Sequence, residues 1–331
     1  MKTLLITTEM DGYEIAIIKG LQERGHTVDY FPGGTKIRRD VATVRHRVIR
    51  SLVREYNFQA LSSYLDRLEI DIYKKRLEEL ANDYDYVFDF GGKSNINCLI
   101  LLKQRYDCSF LLYLWDDVRH IKNVENKIKF FDRVNVFSQD DAEQYGFFYR
   151  PNFFVDQYVY AGEKKTIDIF YKGSARDKKR SEIIDQLARR LPGRHTEISL
   201  AVRGGYLRNM HRMPNQAFFK KFCTTAHMTV SELAAKYKQS RALLDISFKD
   251  QRGLGLRPLE SIACNAKLIT TNKSIREYDF FNDNNVFVLN EDCSNIDLVR
   301  DFLDSPFVPY NDSVKYKYSV RGFLDDVFNG L

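Results

Sequence analysis

Between Gly253 and Asn272 the chain reads Gly-Leu-Gly-Leu-Arg-Pro-Leu-Glu-Ser-Ile-Ala-Cys-Asn-Ala-Lys-Leu-Ile-Thr-Thr-Asn: a loop with two glycines, a short apolar helix carrying one glutamate, then a strand. These residue types suit phosphate chemistry. A helix that begins behind small residues presents unpaired backbone N–H groups and the positive end of its dipole to an anion. Gly253 and Gly255 let that anion approach, and they satisfy a turn that needs positive φ. Glu260, one turn into the helix, is placed to accept the hydroxyls of a ribose attached to the phosphate. The pattern is not G-x-G-x-x-G, because Pro258 stands where the third glycine would fall. Loop, helix and acid together predict a site for a nucleotide diphosphate.

Such a site must be carried by a sheet, and the chain shows two successive α/β alternations. In the first, apolar strands are expected at 3–8, 27–31, 86–90, 110–114 and 134–137, with helices at 15–24 and 95–105 and long helical patterns up to about residue 80. The segment 151–165 breaks the pattern and reads as a linker. The alternation restarts with strands at 167–171, 196–202, 242–246, 267–270 and 286–289 and helices between them. Thr229-Val-Ser-Glu232 and Ser274-Ile-Arg-Glu277 read as capping boxes that open helices. Residues 204–226 show no period and read as a long binding loop or lid. Apolar strands alternating with helices indicate mostly parallel, doubly wound sheets. The expected fold class is therefore α/β, two tandem Rossmann-like domains with an interdomain cleft. The domains are expected at 1–155 and 165–310, followed by a C-terminal helix in 311–331 that packs back toward the first domain.

A chain of 331 residues exceeds one comfortable hydrophobic core, in keeping with two domains. The five cysteines (98, 108, 223, 264 and 293) are odd in number and never spaced C-x-x-C, which argues against a disulfide framework and a zinc cluster. Asp83-Tyr-Asp85 precedes its strand and reads as a turn rather than a metal site. The apolar run at the start of the chain is too short for a signal peptide, and no segment approaches the length of a membrane span. A cytoplasmic protein is expected. The net charge is +6, and Lys36, Arg38, Arg39, Arg45, Arg47, Arg50 and Arg54 crowd a stretch whose apolar residues recur at helical spacing. That basic helix (36–54) suits peripheral contact with the inner face of the cytoplasmic membrane, or the pyrophosphate of a lipid-linked acceptor; it equally suits a solvated face. No nucleic-acid recognition motif accompanies it.

The pattern Gly-Leu-x-x-Arg257-x-x-Glu260-Ser-Ile-Ala, followed by Lys-Leu-Ile-Thr-Thr-Asn, resembles bacterial lipopolysaccharide and capsular polysaccharide biosynthesis transferases of the group that includes CgeB-like proteins. Leu112-Tyr-Leu-Trp-Asp116-Asp-Val, Phe131-Asp-Arg-Val-Asn-Val-Phe-Ser and Tyr145-Gly-Phe-Phe-Tyr-Arg-Pro151 resemble the same group, so the likeness runs from about residue 85 to 290. Tandem Rossmann domains with a donor site in the second resemble the GT-B glycosyltransferase fold. The resemblance implies transfer of a sugar from a nucleotide-sugar donor, with UDP favoured, to a lipid-linked glycan of a bacterial surface polysaccharide such as an O-antigen. It implies no metal and no further cofactor. Glu260 matches the second acid of the E-x7-E motif of retaining members, whereas Arg252 stands where the first acid would be. Arg252 and Arg257 then become candidates for neutralising donor phosphate. So do Ser174, Arg176 and Lys179, in the loop that in such enzymes supplies cations for the diphosphate.

Glycosyl transfer of the inverting kind also needs a base on the acceptor hydroxyl. Asp116, Asp11 and Glu9, at expected strand ends of the first domain, qualify by position, and Asp116 is the first choice because it closes a buried strand within the family-like motif. Its competing role is as N-cap of the segment starting at Val118. Two other chemistries fit the same fold: a nucleotide-sugar epimerase, or a polyol-phosphate transferase. The missing first acid also fits a catalytically inactive GT-B scaffold module.

Overall fold

The computed structural model describes residues 1–7, 12–32, 59–92, 94–121, 124–248 and 251–329, the side chains of 59–63, 65, 66, 68 and 69 aside. The basic stretch 36–54, Glu9 and Asp11 lie outside the described residues. The chain divides into two compact units, Met1–Arg150 with Leu324–Leu331, and Pro151–Phe323. Each is built on one six-stranded parallel sheet.

In the first unit the strands are β1 (Lys2–Thr7), β2 (Thr27–Pro32), β3 (Tyr86–Phe90), β4 (Ser109–Leu114), β5 (Arg133–Val136) and β6 (Phe148–Tyr149), in the order β2-β1-β3-β4-β5-β6. The central strands are nearly all apolar because helices cover both faces: Leu4, Leu5, Ile6, Phe110, Leu111 and Leu114 have no exposed surface. The Ile96–Arg105 helix shows how the local sequence sets its limits. Asn95 caps it by accepting the Asn97 N–H at 2.8 Å, and Cys98, Leu99 and Leu102 turn one face inward. The last turn of the chain returns to this sheet, where the Phe328 ring packs edge-on against Tyr86 and Phe88 at 5.4 Å.

The second unit contains β7 (Ile167–Ser174), β8 (Thr196–Ala201), β9 (Cys223–Thr224), β10 (Ser240–Asp245), β11 (Lys267–Thr270) and β12 (Val286–Val288). Their order, β12-β11-β10-β7-β8-β9, reverses direction between β7 and β10. At such a switch point the helices after the two strands run to opposite faces, leaving a crevice at the carboxyl edge where ligands bind. In the first sheet the corresponding place lies between β1 and β3.

Three expectations need correction. The expected linker is packed structure: Phe153, Phe154, Val155 and Tyr158 are buried within the second unit, and Tyr160 N–H donates to the Ala263 carbonyl at 2.9 Å. Its aromatic residues were signs of a core. Residues 204–226 are not an open lid either. They hold short helices at Tyr206–Asn209 and Gln216–Phe222, with Met213, Phe218 and Phe222 buried in the second core. The box at Ser274 does not form; Asn272 instead caps a 3-10 turn, Lys273–Glu277, by accepting the Ser274 N–H at 3.0 Å. The Thr229 box forms as expected, with reciprocal bonds to Glu232.

Candidate functional site

The loop after β10 and the helix that follows it, Leu256–Ala263, occupy the carboxyl edge at the β7/β10 switch point. Side chains fix the loop at three places. Asn272 Nδ2 donates to the Arg252 carbonyl at 3.3 Å, Gln251 Nε2 to the Gly253 carbonyl at 3.0 Å, and buried Asn152 to the Leu254 carbonyl at 3.0 Å. Gly255 is the N-cap and, having no side chain, makes no cap hydrogen bond of its own. With Pro258 as the third helical residue, Leu256 and Arg257 supply the N–H groups of the first turn. Neither glycine has the positive φ expected of them: Gly255 has φ −64° and Gly253 is not among the left-handed residues. What Gly255 supplies is room, since a Cβ built on it meets nothing within 4 Å.

Arg257 is turned into the protein. Its Nε donates to the Tyr237 hydroxyl at 3.0 Å and its Nη2 to the Lys172 carbonyl at 2.6 Å; Nη1 lies 3.5 Å from Asp245 Oδ1, and the guanidinium sits over the Tyr171 ring. Burial works against its charge, but Tyr237, Tyr171 and Asp245 together hold its pKa above the ordinary value. Glu260 is only 5 % exposed. Tyr158 hydrogen-bonds to it; burial first, then this carboxylate, raises the Tyr158 pKa well above that of a free phenol. Glu260 and Arg257 thus belong to one buried polar network with Tyr158, Tyr237 and Asp245, and Thr270 Oγ1 donates to Asp245 Oδ2 at 2.9 Å. Sequence reasoning missed Tyr158, Tyr237 and Asp245. Asp245 had a signal, an acid at the end of an apolar strand; the tyrosines had none, because they lie far away in sequence.

The other cations diverge. Arg176 is exposed beside the edge of β7, bonded to Ser174 Oγ at 2.8 Å and lying over Phe248. Arg252 pairs with Glu277 at 2.8 Å, and Lys179 pairs with Glu291. Neighbouring Arg180, by contrast, is buried and donates to the Ser174 and Ile246 carbonyls.

In the first unit the loops after β3 and β4 are neighbours on one sheet edge. Asp116 is exposed there. The residue that caps the Val118–His120 turn is Asp117, and the Val118 N–H is taken by Asp141 Oδ2 at 2.9 Å. An acid that sequence reasoning missed, Asp89 near the end of β3, is 1 % exposed. Among the described residues neither of its oxygens finds a hydrogen-bond partner of ordinary geometry. Burial pushes its carboxyl up to about 6, only partly opposed by nearby Ser94 and Lys127. Gly91 and Gly92 after it both have positive φ, and a Cβ on Gly92 would stand 2.5 Å from Leu114 Cδ2, so a side chain there would strain the backbone and displace Leu114. Among the described residues no group of three or more His, Cys, Asp or Glu side chains is placed to hold a metal ion, and no helix is long and apolar enough to cross a membrane.

No protein-family model matches the chain, and no curated protein matches it in sequence. Solved structures match over its whole length. A UDP-forming α,α-trehalose-phosphate synthase from Burkholderia xenovorans is 13 % identical with a TM-score of 0.63, covering 99 % of both chains. The apo lipopolysaccharide outer core galactosyltransferase WaaB is 14 % identical with a TM-score of 0.57, covering 100 % of both. UDP-GlcNAc 2-epimerase from Methanocaldococcus jannaschii is 11 % identical with a TM-score of 0.58, again over 100 % of both. At these identities the likeness is one of fold. The chain has the GT-B fold, with two Rossmann-like α/β units in tandem.

Proposed function

We propose that this protein is a metal-independent glycosyltransferase that takes a sugar from a nucleotide-sugar donor, UDP-linked, and adds it to a lipid-linked glycan of a bacterial surface polysaccharide. The observation that carries the reading is the uncapped start of the Leu256–Ala263 helix at the β7/β10 switch point of a GT-B chain. The diphosphate is held by the first-turn N–H groups and by Arg176 with Ser174, while Lys179 and Arg252 add long-range positive charge. Arg257 acts as the strut that fixes the helix. Glu260 accepts the ribose hydroxyls, exchanging its bond from Tyr158 for them. Asp116 serves as acceptor base, with Asp11 and Glu9 as further candidates. The surface-polysaccharide role rests on the residue pattern of 244–290 and on the likeness to a lipopolysaccharide galactosyltransferase. Membrane contact through 36–54 belongs to the same proposal.

Gly255→Val tests the phosphate site. The backbone there, with φ −64°, is open to residues other than glycine and a Cβ meets nothing within 4 Å, so the variant is expected to fold. Titration of UDP into it should show affinity lower by about tenfold or more, the loss of one good charge-assisted contact. Wild-type affinity in the variant would remove the helix start from the site.

A second reading, a nucleotide-sugar epimerase, is favoured by the full-length match to UDP-GlcNAc 2-epimerase. The two part on one point: an epimerase releases UDP from its substrate with no glycan acceptor present.

A further inference from the structure

Beside β7, on the side away from the Leu256–Ala263 helix, a pocket of about 410 Å³ opens at the carboxyl ends of β7 and β8. Arg176, Arg203, Arg208 and Arg212 line it, with Ser174 and Asn209 among the other wall residues. No carboxylate among the described residues pairs with any of the four arginines. Among the described residues Arg176 is bonded to Ser174 and stacked on Phe248; Arg212 reaches the His211 ring and the Ala175 carbonyl. Four like charges around one cavity repel one another, and an anion bound there would offset that repulsion.

The wall is held in shape. Asn209 is buried, and its amide donates to the carbonyls of Arg203 at 3.1 Å and Gly205 at 2.9 Å, so these negative dipole ends are already engaged. Gly204 turns the chain at φ +77°. Tyr206 packs edge-on against Phe219 at 5.6 Å, fastening the segment to the second core. A guanidinium fork matches phosphate geometry, and arginines prepositioned in this way select it over a point cation's weaker preference.

We infer that this pocket binds the phosphomonoester of a small ligand other than the nucleotide, with Arg203, Arg208 and Arg212 as its dedicated wall and Arg176 at the border with the helix start. The diphosphate of a nucleotide sugar, esterified at both ends, carries about two negative charges, and the helix start with Arg176 meets them. The three arginines of the 203–212 segment remain for a second anion. The inference stands whether or not a nucleotide binds.

The test uses the full chain and inorganic phosphate as probe, by isothermal titration in low salt, with and without saturating UDP. Wild type should bind one phosphate, and UDP should leave that affinity within about twofold. Arg203→Ala/Arg208→Ala removes two exposed side chains that support nothing else, so the fold should be kept. Phosphate affinity should fall about tenfold for each arginine removed, and UDP affinity should stay unchanged. Three results overturn the inference: no phosphate binding to wild type, displacement of phosphate by UDP, or undiminished phosphate binding by the double variant. Displacement would make the pocket part of the nucleotide's own diphosphate site. If UDP fails to bind, the phosphate titrations decide alone, and only the nucleotide reading falls.

Discussion

Arg257 Nη2 donates to the carbonyl oxygen of Lys172 across 2.6 Å, tying the helix after β10 to the outer part of β7. The same guanidinium meets Tyr237 and Asp245, so one side chain joins both strands of the switch point to the helix that follows β10. Removing it leaves Asp245 without its cation and the Tyr237 hydroxyl without the guanidinium donor in a largely buried space. Arg257→Ala should therefore destabilise the protein by about 3 kcal/mol in urea unfolding. Arg257→Lys should recover little of this, since an ammonium cannot span three directions. An Arg257→Ala protein of wild-type stability would show that the network is dispensable.

Glu260 and Tyr158 separate a structural role from a binding one. If Glu260 holds the ribose, Glu260→Gln should weaken UDP by about tenfold while Tyr158→Phe, which frees the carboxylate, leaves UDP binding intact or stronger. A merely structural glutamate gives a different pattern: both variants lower the melting temperature and neither moves UDP affinity. Calorimetric titration together with a thermal melt reads both.

Asp89 predicts a pH dependence. Its folded pKa of about 6 lies above the ordinary 3.8, so the folded chain keeps the proton longer than the unfolded chain does. The stability this group contributes is complete below the ordinary value and is lost as pH rises through about 6. The shift corresponds to roughly 3 kcal/mol. Asp89→Asn should flatten the stability profile across that window and make the protein more stable than wild type at pH 7. Unfolding curves measured from pH 4 to 7 check this, and a wild-type slope in the variant would assign the effect elsewhere.

Asp116 is exposed at the carboxyl edge of the first sheet, where a base must be reachable by substrate. Asp116→Asn should leave UDP affinity unchanged and lower turnover by about a hundredfold, the usual contribution of a general base. Asp117→Asn, beside it but paired to Arg119, should change turnover little. Equal losses in the two variants would point to damage of the turn rather than to base catalysis.

The strands were legible because burial on both faces makes them apolar runs: Tyr86–Phe90 and Lys267–Thr270 coincide with the sequence reading. Two of the four edge strands were not, since Phe148–Tyr149 and Cys223–Thr224 are two residues each, too short for any period. The helix start was legible from Gly255 and its apolar follow-on. The direction of Arg257 and Glu260 was not, because it depends on Tyr158 and Tyr237, brought in from a supposed linker and from the helix before β10. Asp89 was passed over because a charge inside an apolar strand reads as noise until its burial is seen.

The central claim, a metal-free nucleotide site in the second unit, is tested most directly by thermal-shift binding of the full chain against UDP, GDP, CMP, dTDP and CDP, with and without EDTA. The account predicts that UDP raises the melting temperature and that EDTA leaves the rise intact. No shift with any nucleotide, or a shift abolished by EDTA, would contradict it.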